Sequence, residues 1–198
     1  MIKILQTQFV GWVSVTRRLA GLCRCPVALG LMGYALLVNP ARAGQPTEYE
    51  VKAAFLFNFA KFVDWPPQAF GNDQLPLVIG IVGEDPFGAI LPALVQIEKV
   101  KNRSIEIRHF KADEDMSACH LLFISRSETG RTADILERIK SRPVLTVSEQ
   151  EDFLKQGGLI DFVIVKETVR FDINVKALEK AGLKASSKLL GVARAVKN

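Results

Sequence analysis

Few side chains in this sequence have the chemistry of a catalytic or metal site. The chain has two histidines, His109 and His120, and neither is spaced from cysteines or carboxylates as in zinc or iron sites. Cys119 and His120 are neighbours, but successive residues of a strand point to opposite faces, which argues against a thiolate–imidazole pair. The acidic run at 113–115 would need other segments to enclose a cation. The sequence therefore predicts a protein that is not an enzyme and holds no metal or cofactor.

Three polar loops are better candidates, for binding rather than catalysis. Each follows a predicted strand, and in open parallel sheets ligands collect at the carboxyl ends of strands, beside helix N-termini. The loops consist of Gly83, Glu84 and Asp85, of Ser125, Arg126 and Ser127, and of Ser148 with Glu149. Arg126, flanked by serine hydroxyls, has the chemistry to hold a carboxylate or a phosphate. The simpler alternative is that Ser125-x-x-Glu128 and Ser148-x-x-Glu151 are capping boxes that only start helices.

The elements that would position these loops alternate along the chain. Apolar residues at helical spacing predict a mostly buried helix over 49–63, ended by Pro66 and Pro67. The remaining predicted helices are 87–97 with Asp85 as its cap, 129–140, 149–156, 174–181 and a last one that begins at Ser186 or Ser187 and contains Val196; the predicted strands are 77–82, 104–110, 120–125, 143–147, 159–165 and 168–173. This order predicts a single three-layer α/β domain, with a mostly parallel central sheet and an antiparallel hairpin near its C-terminal part.

The first 43 residues have the pattern of a secretory signal peptide. A basic stretch ends at Arg24, an apolar run extends over 26–38, and Ala41-Arg42-Ala43 is a small-x-small cleavage motif. We expect cleavage after Ala43, which leaves 44–198 as the exported domain. An uncleaved anchor in the inner membrane is the alternative, although the apolar run is shorter than the roughly 20 residues of a spanning helix. Cys119 is then the only cysteine of the domain, so an apolar core rather than a disulfide must stabilise it.

The net charge of +5 is concentrated in this leader. Residues 1–43 hold five basic residues and no acidic ones, so 44–198 contain 21 of each sign. Binding to nucleic acid requires a basic face that releases counterions, and the domain has no surplus of positive charge from which to build one. The composition thus argues against a nucleic-acid partner.

Several sequence blocks together resemble a known family. The stretch Val51-Lys-Ala-Ala-Phe-Leu-Phe-Asn-Phe-Ala-Lys-Phe-Val-Asp-Trp-Pro66 is similar to the opening signature of the YfiR family of exported bacterial proteins. Later blocks follow in the family's order, namely 83–88, 119–125, 144–148, 157–158, 169–174 and 181–190. The resemblance implies a periplasmic regulator, expected to be a homodimer, that binds the periplasmic part of a membrane-bound diguanylate cyclase or another membrane sensor. Repression of the cyclase would lower cyclic di-GMP and biofilm formation.

Two groups within these blocks are candidates for the partner or ligand surface. Asn58 and Lys61 stand three apart on one side of the first helix, and Trp65 follows at its end. Arg170 and Asn174 lie four apart at a strand-to-helix junction, where Asn174 also suits a helix N-cap. The rival hypothesis is a periplasmic protein that binds a small molecule in the loops of Glu84, Arg126 and Ser148 and serves a transporter or membrane sensor.

Overall fold

The computed structural model describes residues 45–72, 75–97 and 99–197. The predicted signal peptide and its cleavage site at Ala43 lie outside these ranges and stay predictions. The helices are α1 (Glu48–Phe62), α2 (Ile90–Val95), α3 (Thr132–Ile139), α4 (Val175–Lys180) and α5 (Ser187–Val192). The strands are β1 (Val63–Asp64), β2 (Leu77–Val82), β3 (Ile105–Phe110), β4 (Leu121–Ile124), β5 (Leu145–Ser148), β6 (Ile160–Val165), β7 (Thr168–Asn174), β8 (Lys184–Ala185) and β9 (Ala195–Lys197), with 3₁₀ turns at Pro67–Ala69 and Arg126–Arg131. Among the described residues, no helix is long and apolar enough to span a membrane.

Helix α1 is fixed at both ends by local sequence. The Thr47 hydroxyl accepts a hydrogen bond from the Glu50 amide at 3.3 Å, and the Glu50 carboxylate accepts one from the Thr47 amide at 2.6 Å. This capping box satisfies two amides at the start of the helix that have no partner within it. At the other end Val63 turns extended and pairs with Ala185 in a small antiparallel β1–β8 sheet.

The main sheet of the described residues has seven strands in the order β3-β2-β4-β5-β6-β7-β9. All neighbours are parallel except β6 and β7, which form the antiparallel hairpin. The predicted fold class, a single α/β domain with a mostly parallel sheet and this hairpin, is confirmed. The hairpin turns at Lys166 and Glu167, whose φ angles of 48° and 60° give the primed turn that the strand twist favours.

Helices cover both faces of the sheet, which makes three layers. The larger core holds side chains from α1, α2, α4 and α5 against one face, with Phe59 and Phe171 packed edge-on at 4.9 Å. The smaller core contains Ile135 and Ile139 of α3 with Phe153 against the other face. Buried apolar residues of β6 and β7 contribute only to the larger core, and the described residues of β9 contribute to neither core. The second face of this part of the sheet is therefore less covered than the rest.

Three predicted helices differ from the structure. Residues 149–156 form successive turns, because Asp152 has a left-handed φ of 61°. Helix α2 begins at Ile90 rather than 87, because Gly88 has a φ of 49°, and Asp85 caps only the preceding turn, accepting from the Phe87 amide at 2.8 Å. The helix predicted over 129–140 begins at Thr132, after the 3₁₀ turn.

The C-terminal segment also differs from the prediction. Helix α5 ends at Val192, and Val196 lies in β9, paired with Ile173. The capping prediction for this helix is resolved in favour of Ser186, whose hydroxyl accepts from the Leu189 amide at 3.3 Å.

Candidate functional site

The carboxyl ends of β2 and β4 lie at the point where the chain order of the sheet reverses. Strand β2 leads to β3 on one side, and the chain then crosses over to β4 on the other. In open α/β sheets this reversal opens a crevice between the two loops that leave the sheet. Two of the loops proposed from the sequence, those at Gly83 and at Ser125, meet here.

The two loops are held in close contact. The Ser127 hydroxyl accepts a hydrogen bond from the Glu84 amide at 2.9 Å. Gly83 has a φ of 88°, and a Cβ on it would lie 2.3 Å from the Ser127 hydroxyl oxygen. Any side chain at Gly83 would therefore force the loops apart.

An open cleft of about 450 Å³ lies at this junction. Its lining includes Gly83, Glu84, Lys111, Ser127, Glu128 and Arg131. Glu128 is buried, and its Oε2 lies 2.8 Å from Arg131 Nη2, in an ion pair whose alignment is not that of a hydrogen bond. The cleft therefore combines cationic and anionic groups at the place where the fold favours a ligand.

The other loop residues serve mainly the protein's own structure. Asp85 lies 2.9 Å from the ring nitrogen Nε2 of His109 at the edge of the sheet. The buried Ser125 hydroxyl accepts from the Ser127 amide at 3.4 Å, and the buried Ser148 hydroxyl donates to the Ile124 carbonyl at 2.7 Å. Both hydroxyls are turned into the protein. Ser125 caps the 3₁₀ turn that follows it rather than a helix, and residues 149–156 after Ser148 form no helix.

Arg126 points away from the cleft, towards a cluster of charges that sequence reasoning missed. It donates to the Glu149 carbonyl at 3.3 Å, and its Nε lies 3.4 Å from the Glu149 carboxylate. Lys52 of α1 forms ion pairs with both Glu149 and Glu48, and the Tyr49 hydroxyl donates to Glu149 at 3.2 Å. The side chains of Lys52 and Glu149 are 1% and 3% exposed, so this ion pair is buried.

The buried cluster attaches the N-terminal end of α1 to the end of β5. Burial, reinforced by the Glu149 carboxylate, raises the pKa of Tyr49. The only sequence signal for the cluster is the spacing of Glu48 and Lys52 by four residues, which is common on exposed helices. Glu149 is distant in sequence, so its partnership with Lys52 depends on the tertiary fold.

Asn58, Lys61 and Trp65 do not form one exposed patch. The Asn58 amide donates to the Ala54 carbonyl at 2.8 Å, and the Lys61 ammonium lies 5.4 Å from the centre of the Phe57 ring. Trp65 is 9% exposed, and its indole donates to the His120 carbonyl at 3.0 Å. We define the half-buried residues Phe57, Asn58 and Lys61 as the α1 surface; Trp65 instead closes the edge of the core.

Arg170 and Asn174 stand four residues apart in β7, so their side chains lie on the same face of the sheet. Arg170 is exposed. The Asn174 side chain accepts from the Ala177 amide at 2.9 Å, as the N-cap of α4. Asn174 therefore has a structural task, whereas Arg170 is available at the surface.

Cys119 and His120 are structural rather than reactive. Burial raises the pKa of the Cys119 thiol to about 12 and lowers that of the His120 imidazole. His120 accepts from the Val78 amide at 3.0 Å through Nδ1 and donates through Nε2 to the Ala69 carbonyl at 3.1 Å. No group of three histidine, cysteine or acidic side chains among the described residues could hold a metal ion.

The described residues thus form a three-layer α/β domain with an open cleft at the reversal of its sheet and a buried charge cluster at the N-terminal end of α1. The sequence profile of the YfiR/HmsC-like family matches residues 49–194. The chain belongs to this family. At the family level, its members are periplasmic regulators in diguanylate cyclase signalling rather than enzymes.

Two further comparisons add little to this assignment. No curated protein matches the chain in sequence. A crystal structure of a conserved domain protein from Vibrio cholerae O1 biovar El Tor strain N16961 is 13% identical over 61% of this chain, with a TM-score of 0.41. The aligned part spans 54% of that protein.

Proposed function

We propose that this protein represses a membrane-bound diguanylate cyclase by binding the cyclase's periplasmic part. Repression lowers cyclic di-GMP and so limits biofilm formation. The observation that carries the proposal is the family match over residues 49–194, which includes α1 and nearly all of the sheet. The N-terminal 43 residues act as a cleaved signal peptide, and the domain acts as a homodimer.

The mechanism is a shift between two states of the partner. A bound regulator favours the inactive cyclase only by the difference in its affinity for the inactive and active states. The α1 surface is the first candidate contact, because it presents the Phe57 ring, and aromatic side chains are enriched at protein interfaces. Arg170 is the second candidate, since it is exposed on the less covered face of the sheet.

Capture of the partner and measurement of cyclic di-GMP test the proposal together. The tagged protein is used to isolate partners from solubilised membranes, and cyclic di-GMP is measured in cells with and without the gene. We expect capture of a protein with a cyclase domain, and higher cyclic di-GMP after deletion. No cyclase in the eluate and unchanged cyclic di-GMP would contradict repression.

Charge reversal then locates the contact. Lys61→Glu alters the α1 surface, and Lys140→Glu is the control on the opposite side of the sheet, where Lys140 is an exposed lysine at the C-cap of α3, paired with Glu137. We expect Lys61→Glu to reduce capture at least tenfold while the domain stays folded with a stability loss of about 1 kcal/mol or less, and Lys140→Glu to capture normally. Normal capture by both variants would exclude the α1 surface and leave Arg170→Glu as the next test.

A second function is favoured by the cleft itself. We propose that the cleft holds a small charged solute, whose binding adjusts the contact with a membrane partner. Because Arg131 lines the cleft and Arg126 does not, a metabolite that raises the melting temperature should lose its effect in Arg131→Ala and keep it in Arg126→Ala. Equal losses in both variants, or no stabilising metabolite, would count against this function.

A further inference from the structure

Two carboxylates face each other on the less covered side of the sheet. Asp161 of β6 and Asp172 of β7 are direct partners in the hairpin register. Ser148 of β5 lies beside Asp161 on the same row, and Ala195 of β9 lies beside Asp172. The neighbouring residue Ile160 belongs to the larger core, so Asp161 and Asp172 point to the opposite face.

The two carboxylates have different partners. Arg194, which precedes β9, donates through Nε and Nη2 to the two carboxylate oxygens of Asp172. The Asp172 side chain is 3% exposed. The Arg194 amide also donates to the Phe171 carbonyl at 2.8 Å, so this residue attaches β9 to β7 twice. The buried Oδ1 of Asp161, by contrast, has no hydrogen-bond partner among the described residues.

The charged groups around Asp161 come from β7, from β9 with the residue before it, and from the loop after β4. Asp172 on β7 opposes its ionisation, whereas Lys197 on β9, Arg194 before β9 and Arg126 after β4 favour it. The nearby cations are already engaged in part, because Arg194 is bound to Asp172 and Arg126 to Glu149. Burial outweighs the cations and, with Asp172, raises the pKa of Asp161 to about 7.

We propose that Asp161 is a proton-dependent switch in the sheet: it is neutral when β6, β7 and β9 are fully paired, and its ionisation weakens their pairing. The reason is that an ionised Asp161 places two negative charges directly opposite each other and competes with Asp172 for Arg194. Strand β9 is the element that we expect to be most affected, since it consists of three residues, pairs only with β7 among the described residues, and is preceded by Arg194, which binds Asp172. The switch does not depend on which partner the protein binds.

The sign of the effect follows from the two protonation states. The unfolded chain releases the Asp161 proton near the ordinary aspartate pKa of about 3.9, whereas the folded protein retains it to higher pH. Unfolding therefore releases a proton between about pH 4 and 7, and the Asp161 contribution to stability falls as the pH rises through this range. Above this range the contribution is constant.

The test compares the purified protein with Asp161→Asn, which has the same shape and cannot ionise. Urea unfolding is measured from pH 4 to 8, and Asp134→Asn, an exposed residue of α3, is the matched control. We expect the unfolding equilibrium constant of the unaltered protein, relative to Asp161→Asn, to rise by up to about tenfold per pH unit between pH 4 and 7. The unfolding equilibrium constant of the unaltered protein relative to that of Asp134→Asn should not show this rise.

Two direct measurements locate the effect. Carbon-13 NMR of the unaltered protein should show the Asp161 carboxyl titrating near pH 7. Amide hydrogen exchange, corrected for its intrinsic pH dependence, should increase in β9 between pH 6 and 8 in the unaltered protein and not in Asp161→Asn. Titration of Asp161 below pH 5, or a stability ratio that does not change with pH, would overturn the switch.

Discussion

Replacement of Lys52 by methionine is expected to destabilise the protein strongly. Methionine fills a similar volume but leaves the Glu149 carboxylate buried, and of its partners in the described part of the chain Tyr49 and Arg126 then remain to stabilise its charge. Removal of one member of a buried ion pair costs about 3–5 kcal/mol, because the remaining charge is both desolvated and uncompensated. For a domain of this size, that cost corresponds to a fall in melting temperature of roughly 6–20 °C.

A double substitution separates the cost of an orphaned charge from the value of the ion pair. Lys52→Met combined with Glu149→Leu removes both charges, and we expect it to recover most of the lost stability, because an apolar pair is often as stable as a buried ion pair. Lys140→Met is the control: Lys140 pairs with Glu137 at the surface, and its loss should cost less than about 1 kcal/mol. Urea denaturation monitored by circular dichroism gives all three values. A cost below about 1 kcal/mol for Lys52→Met, or no recovery in the double variant, would refute the reasoning.

Three further predictions concern the cleft and the neighbouring core. Gly83→Ala should lower the free energy of unfolding by about 1–3 kcal/mol, since it places a side chain at a left-handed φ and against Ser127; an unchanged urea midpoint would contradict this. Because burial lowers the pKa of His120, its contribution to stability should fall as the pH drops below about 6.5, and the stability difference from His120→Gln should narrow between pH 7 and 5. Cys119 should react with a thiol reagent only on unfolding, since at a pKa of about 12 roughly one thiol in ten thousand is ionised at pH 8; rapid labelling of the folded protein would contradict its burial.

The sequence was sufficient for the central strands and the first helix, because their apolar patterns match how they are buried. Strand β2 is buried along its whole length, as its nearly continuous apolar run predicts. Strand β3 lies at the edge of the sheet and has no fully buried residue, which agrees with the half-exposed strand that its mixed apolar and charged sequence predicts. In such elements the order of apolar and polar residues is enough to predict which side chains are buried.

Elements that depend on tertiary contacts could not be predicted in the same way. Strands β1, β8 and β9 have two or three residues each, too few for a periodic pattern. Strand β9 follows Arg194, whose ion pair with Asp172 joins residues that are 22 positions apart in sequence. The Lys166–Glu167 turn uses two residues with no special preference for positive φ, so the pairing of the flanking strands sets its geometry.

The same distinction applies to the candidate site. Loops at the ends of buried strands are brought together by topology alone, which is why Gly83, Glu84 and Ser127 could be proposed from the sequence. The direction of a polar side chain depends on its neighbours, and here Arg126 turns to Glu149 rather than into the cleft. Lys52 is the clearest example of a contact that the sequence could not predict, since a lysine in a helix is ordinarily exposed.

The structure narrows what a partner can recognise on α1. Within the family signature of this helix, Leu56 and Phe59 are buried in the core and Lys52 is committed to Glu149. Packing and the attachment to β5 account for these residues without any partner. Phe57 and Lys61 remain half-buried at the surface, and their aromatic and cationic groups lie against each other. Reversal of the Lys61 charge therefore tests recognition on this helix, whereas substitution of the buried residues would test only its stability.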